Sequence, residues 1–356
     1  MMRQKRKLDH LNLVQYLDDG PARNGFDDVQ FVHNCLPEVN AEDIDLSAKF
    51  LGRQFNMPFM VNSITGGIDE AEGINSTLAT ISSRLGIPMA VGSQTAALEK
   101  EELCYTFDIA RRQNPDGFIA ANLGAGASLP RAQKAVDMIG ADALQLHLNV
   151  PQELMMPGKE QEPSCRGYLE NIEYLVEQLS VPLIAKEVGF GIAREQAQKL
   201  LSIGIDALDV GGSGGTNFIK VEGFRYSCED VEPFLSWGLP TAVTLYEVQD
   251  AVSFQGEIVA TGGIRNGVEA AKALSMGADL VGVAAPLLHC YYQGGEAAVE
   301  KYLLGMRRQL RQTMFMLGAQ NIHELRRKPL VIRGETAEWL RQRGIDTKQT
   351  AFREEI

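Results

Sequence analysis

The segment Gln145-Leu146-His147-Leu148-Asn149-Val150-Pro151-Gln152-Glu153 brings five side chains able to exchange hydrogen bonds, a proton or a metal ion into one short stretch. Side chains alternate across a strand, so Leu144, Leu146 and Leu148 face one way and Gln145, His147 and Asn149 the other. Gln152 and Glu153 follow just past the strand's end. A half-exposed sheet would also give polar alternation. A strand of a closed parallel barrel accounts for it better, because there the polar face becomes the floor of a pocket.

Other chemistry-bearing residues stand at similar positions. Lys186 shares a strand face with Ile184, and a cation buried there needs an anion, a Schiff-base partner or a cofactor. An ion pair with Glu187 is disfavoured, since Glu187 points to the opposite face. Thr65, Ser93, Asn122, Lys186 and Thr216 end five different strands and would border a flat ring with polar edges. Gly262-Gly263-Ile264-Arg265 and Ala284-Ala285 offer backbone N–H groups to a phosphate, because small residues allow close approach and helix N-termini favour anions. Taken alone, one Gly-Gly is only a tight turn. Glu153 is a lone carboxylate; Mg²⁺ takes one or two of these and completes its shell with phosphate oxygens and water, whereas zinc needs His or Cys companions. The basic run Arg3-Gln4-Lys5-Arg6-Lys7-Leu8-Asp9-His10 is either a solvated tail or a clamp for a second anion.

The elements that position these residues follow a β-α grammar. Ile139-Gly140-Ala141-Asp142-Ala143-Leu144, Ile203-Gly204-Ile205-Asp206-Ala207-Leu208 and Met276-Gly277-Ala278-Asp279-Leu280-Val281 share one form: a helix-ending glycine, a short turn and an apolar strand. Eight strands are predicted near 58–63, 88–92, 117–121, 143–148, 182–187, 206–210, 257–261 and 279–283, with helical spacing between them. Ala132, Ala135, Val136 and Ile139 keep that spacing, as do Ile172, Leu175, Val176 and Leu179. Pro240-Thr244 is assigned to a helix entry rather than a strand. The expected fold is an α/β (β/α)8 TIM barrel at 58–317, with an N-terminal arm at 1–57 lying across the mouth and a C-terminal extension at 318–356, all in one domain.

The 356 residues carry a net charge of −12, which argues against nucleic acid as the main partner. Five cysteines, none in a Cys-x-x-Cys pair, suit a reducing compartment. No apolar run approaches the roughly 20 residues that span a membrane, and the basic N-terminus lacks a signal-peptide core. A cytoplasmic protein without a membrane partner is expected.

Together the motifs resemble those of the type 2, FMN-dependent isopentenyl diphosphate isomerases. The shared elements are Arg6-Lys7 with His10, Thr65-Gly66-Gly67, Gly92-Ser93-Gln94, Asn122-Leu123-Gly124, His147-Leu148-Asn149, Gln152-Glu153, Lys186-Glu187-Val188-Gly189, Gly214-Gly215-Thr216-Asn217 and Gly262-Gly263-Ile264-Arg265. They run in order to about residue 290, and Pro329-Leu330-Val331 also fits. The resemblance implies interconversion of isopentenyl and dimethylallyl diphosphates with Mg²⁺ and with FMN reduced by NADPH. It implies FMN contacts at Ile64, Thr65, Gly66, Ser93, Asn122, Lys186, Thr216, Gly263, Ile264, Arg265, Ala284 and Ala285. It implies diphosphate contacts at Arg6, Lys7, His10, Ser93, His147, Asn149 and Gln152, with Glu153 on the metal, and a homo-oligomer, tetramer or octamer. Two departures stand out: Thr95 where many relatives carry Arg, and Asn217-Phe218 where others have Ser-Trp.

With no carboxylate evident beyond Glu153 and no spare histidine, reduced flavin is expected to move the proton, with Gln152 as relay. Two other enzymes use this barrel. A 2-hydroxy-acid oxidase needs a histidine base beside Arg265, and none is close in sequence. A nucleotide dehydrogenase needs a cysteine after the sixth strand, but Gly211–Gly215 has none and Cys228 is well beyond. A non-catalytic flavin-binding scaffold would leave the polar groups around His147 without purpose.

Overall fold

The computed structural model describes residues 2–156, 164–226, 229–252 and 256–353. Cys228 lies outside them. Eight parallel strands close into a barrel: β4 (Phe59–Val61), β5 (Met89–Ala90), β6 (Ile119–Gly124), β7 (Ala143–Leu148), β8 (Leu183–Glu187), β9 (Ala207–Asp209), β10 (Glu257–Ala260) and β11 (Leu280–Val283). All eight predicted strands are present in chain order, and β11 pairs with β4 to close the ring. Three strands precede them: β1 (Val29–Phe31), β2 (Ala48–Phe50) and β3 (Arg53–Phe55). A last strand, β12 (Leu330–Ile332), follows.

Local sequence explains the repeat. The helix Leu129–Ile139 buries Ala132, Ala135, Val136 and Ile139, as their spacing predicts. Gly140 ends it at φ 52°, where its N–H reaches the carbonyls of Val136 and Asp137. Pro240-Thr244 does enter a helix, Thr241–Val252.

The period of two sorts the barrel interior into layers. The lower layer is apolar: Met60, Ala90, Ala120, Ala143, Ile184, Ala207, Val259 and Leu280, one from each strand, pack with Phe50, Phe55 and Phe118. Two residues further along, Asn62, Asn122, Gln145, Lys186, Asp209 and Thr261 make a buried polar layer. That layer carries the cavity floor.

The N-terminal arm divides between the two ends of the barrel, correcting the expectation that all of 1–57 crosses the mouth. The helix Met2–Tyr16 lies over the mouth, with Arg6, Lys7, His10, Leu11 and Val14 lining the cavity. The hairpin β2–β3 instead plugs the opposite end. Its Phe50 and Phe55 fill the lower layer, and Arg53 pairs with Asp142 at the start of β7 at 2.7 Å. The reason is burial: these aromatics cover apolar ends of short strands that would otherwise face water.

The C-terminal segment is structured. β12 pairs antiparallel with β1, Phe31 opposite Leu330. The helix Gly334–Gln342 packs on Thr241–Val252. There the buried Glu247 accepts from Trp339 Nε1 at 3.0 Å and from Arg343 Nε at 2.8 Å. Among the described residues, no helix is long and apolar enough to cross a membrane.

Candidate functional site

One cavity of about 320 Å³ opens at the C-terminal ends of the barrel strands. Every predicted site residue lines it except Gly66. Gly66 turns away, and its carbonyl accepts from Lys7 Nζ. A Cβ on Gly66 would fall 2.0 Å from the Phe107 ring. The residue is therefore needed for wall packing and for holding Lys7.

The wall formed by the helix Met2–Tyr16 is cationic. Lys7 Nζ also donates to the Ser93 carbonyl at 2.6 Å and sits 5.2 Å from the centre of the Phe107 ring. Arg6 reaches Met156 Sδ at 3.0 Å. Thr95 offers a hydroxyl 3.1 Å from Ser93 Oγ, and Lys7 brings a cation to this loop. Asn217 accepts from the Lys220 N–H at 3.1 Å and donates to the Leu235 carbonyl at 2.7 Å. Phe218 keeps an aromatic ring in the wall, edge-on to His10 at 6.0 Å.

Glu222 is a buried carboxylate at this site that sequence reasoning missed, and it overturns the expectation of no second carboxylate. It lies on the helix Phe218–Tyr226 with its side chain fully buried. One oxygen accepts from Gln152 Nε2 at 2.6 Å and lies 2.7 Å from His10 Nε2; the other meets Arg225. Burial alone would raise this carboxyl, but the His10 bond and charge, the Gln152 amide and Arg225 outweigh it and hold it below the usual range. Burial pushes His10 down, with the Glu222 bond opposing. A signal was present in the sequence: Ile219, Glu222 and Gly223 share the inner face of the helix, where a carboxylate needs partners.

The Glu222 contact sets the next two amides. With Gln152 donating to Glu222, Gln152 Oε1 is left to accept from Asn149 Nδ2. Asn149 Oδ1 is then buried with no hydrogen-bond partner. A buried orphan oxygen costs about 1–3 kcal/mol unless something arrives to bind it, so the wall has room for a hydrogen-bond donor beside Glu153 and His147. His147 is lowered to about 4, first by burial and then by the charges of Lys186, Lys7 and Arg6, so its ring is neutral. Among the described residues no group of three or more His, Cys, Asp or Glu side chains gathers as a metal cage.

The floor is flat and polar-edged. Lys186 is paired with Asp209, 3.1 Å away, and not with Glu187. Asp209 is the second missed carboxylate; its signal was its alternation with Ala207 on the inward face of β9. Glu187 instead accepts four backbone N–H groups, from Val188 at 2.6 Å through Gly191 at 3.1 Å. Around Lys186 stand Ile64, Thr65, Ser93, Asn122 and Thr216. At one side Gly263, Ile264, Arg265, Ala284 and Ala285 form a cup where the helices Gly267–Ser275 and Ala285–Leu317 begin. Gly263 is required by its φ of 70° and because a Cβ would fall 2.0 Å from the Gly214 carbonyl oxygen. Arg265 pairs with Asp19 of the arm, and Asn24 Nδ2 donates to the Gly263 carbonyl at 2.8 Å. The cup thus presents helix N-termini and a cation to an anion, beside the polar floor.

Comparison with known proteins agrees with this geometry. Residues 158–332 match the family model for FMN-dependent dehydrogenases. The isopentenyl-diphosphate delta-isomerase of Moorella thermoacetica is 46% identical over 341 residues, covering 96% of this chain and 97% of that protein. The enzyme of the same name from Methanothermobacter thermautotrophicus is 42% identical over 350 residues, covering 98% and 99%. Among solved structures, a flavocytochrome b2 variant superposes with a TM-score of 0.68 at 20% identity, covering 93% of this chain and 84% of that one. A mandelate oxidase variant gives 0.63 at 18%, covering 92% and 91%. At such identity the solved structures share the barrel fold.

Proposed function

The chain belongs to the isopentenyl-diphosphate delta-isomerase family, and from that premise we propose that it interconverts isopentenyl and dimethylallyl diphosphates, with FMN on the barrel floor and Mg²⁺ on the diphosphate. The observation that carries this is the division of one cavity into a cationic wall and a flat floor beside an anion cup. The two ends of such a substrate need opposite surroundings. Its hydrocarbon offers no polar handle, so binding energy must come from the diphosphate.

Arg6, Lys7, His10, His147 and Asn149 would hold the diphosphate, with Ser93 at the side and Glu153 on Mg²⁺. Lys186, Asn122, Thr65, Thr216 and the cup would hold FMN. When bound and reduced by NADPH, FMN supplies an acid–base centre beside the reacting carbons. Gln152 lines the cavity and donates to the ionised Glu222, so in this reading the amide orients and relays while the carboxylate fixes its direction. Leu11, Val14, Phe218 and Leu288 keep the hydrocarbon end dry, which protects cationic character from water. The working form in this proposal is a cytoplasmic homo-oligomer, tetramer or octamer.

Anaerobic incubation with isopentenyl diphosphate, Mg²⁺ and reduced FMN should yield dimethylallyl diphosphate, and the same mixture without reductant should not. Failure to form product with reductant present, or equal turnover without flavin, overturns the proposal.

A further inference from the structure

The polar layer inside the barrel is a hydrogen-bonded line with a single direction. Asp209 is fully buried and accepts from Thr261 Oγ1, from Asn62 Nδ2 at 2.6 Å and from Lys186 Nζ at 3.1 Å. A carboxylate only accepts, so the Asn62 amide must turn its nitrogen toward Asp209. Asn62 Oδ1 is left to accept from Gln145 Nε2 at 3.1 Å, and it also accepts from the Ser63 N–H at 2.8 Å. Gln145 Oε1 in turn accepts from Asn122 Nδ2 at 3.0 Å. Asn122 Oδ1 therefore faces His147 Nδ1, 2.9 Å away. An amide oxygen carries no hydrogen, so that contact needs the hydrogen on Nδ1.

We propose that Asp209, acting through Asn62, Gln145 and Asn122, fixes His147 in the tautomer with hydrogen on Nδ1, so that Nε2 meets the ligand as an acceptor. Asp209, Asn62 and Gln145 are positioning residues: they reach the ligand site through other side chains. The charged groups around the ring agree. Lys186, Lys7 and Arg6 are cations, and each opposes an imidazolium at this place. Glu153 lines the same cavity from the next helix, and Asp209 is already spent on three donors. The consequence for recognition rests on the isomerase proposal above. A phosphate oxygen offered to Nε2 must bring its own hydrogen, directly or through a water, so His147 orients the diphosphate by accepting, while Arg6 and Lys7 donate.

Nitrogen-15 spectra of histidine-labelled, ligand-free protein at neutral pH test the relay without reference to turnover, the His147 signals being assigned by their loss in His147→Asn. The expected result is a protonated Nδ1 and a bare Nε2. A ring with hydrogen on Nε2 overturns the proposal. Gln145→Leu cuts the line while leaving the Asp209–Lys186 pair in place. It should give a mixed tautomer and raise KM for isopentenyl diphosphate about tenfold, the size of one hydrogen bond, with kcat and flavin content little changed. An unchanged, fixed tautomer in that variant also overturns the relay. Should Gln145→Leu fail to fold, the spectrum of the unaltered protein still decides. A wild-type ring with hydrogen on Nδ1 in a protein that makes no dimethylallyl diphosphate would sink the isomerase proposal and leave the relay standing.

Discussion

Glu222 is fully buried with three polar partners, and its charge can be removed without changing its size. If its charge fixes the direction of the Gln152 relay, Glu222→Gln should lower kcat by about 10²-fold or more, the range of a proton-transfer contribution. Flavin content should stay normal, and steady-state rates with reduced FMN measure both. An undiminished kcat would make Glu222 an anchor for Gln152 and nothing more. His147 makes a prediction about pH. Its folded-state value is lowered from 6.5 to about 4 by burial and then by neighbouring cations, so between these values the unfolded chain binds more protons. Stability from this residue is complete above about pH 6.5 and is lost as pH falls toward 4, about 2 kcal/mol of it by pH 5. Urea unfolding of the flavin-free protein at pH 7 and pH 5 checks this, because His147→Gln should lose that much less across the interval. A variant with the same slope as the parent would show that His147 does not titrate this way.

The helix Met2–Tyr16 brings Arg6 and Lys7 to one wall of the cavity. Its own sequence is too polar to fold alone, and it is held by buried Leu11, by the His10–Glu222 contact and by His289, whose Nε2 lies 2.7 Å from the Val14 carbonyl. Charge-assisted bonds contribute about 1.5–3 kcal/mol each. A chain lacking residues 1–16 should therefore raise KM for the diphosphate by about 10²-fold or more, since Arg6 and Lys7 go together. The barrel and the cup do not need this helix, so flavin content and the far-ultraviolet spectrum should show a folded barrel. Loss of flavin in the shortened chain would mean that the segment carrying Asp19 and Asn24 needs the helix to stay seated on the cup.

The whole molecule is tied together at places far from the cavity. The fully buried side chain of Glu247 receives Trp339 and Arg343 from the C-terminal segment. Burial would raise this carboxyl, but Arg343, Trp339 and the Arg194 N–H hold it below the usual range. Arg343→Met strands a buried charge and should cost about 3 kcal/mol in urea unfolding. Rates measured well below the melting temperature should hardly move, because no cavity residue touches this cluster. A variant as stable as the parent would show that water replaces the guanidinium.

What the chain's order of residues determined is whatever repeats or alternates locally. The glycine-capped helices and apolar runs specify eight strands, and the period of two in β7 and β8 puts His147 and Lys186 on the inward face. Each depends on backbone geometry over a few residues. The partners across the barrel were decided only in three dimensions. Asp209 lies 147 positions from Asn62, and Glu222 lies 70 from Gln152. Ring closure brings those groups together, and no local pattern encodes which strand end faces which. The same holds for the arm, whose helix and hairpin go to opposite ends of the barrel because one has cations to offer the mouth and the other has aromatics to bury at the base.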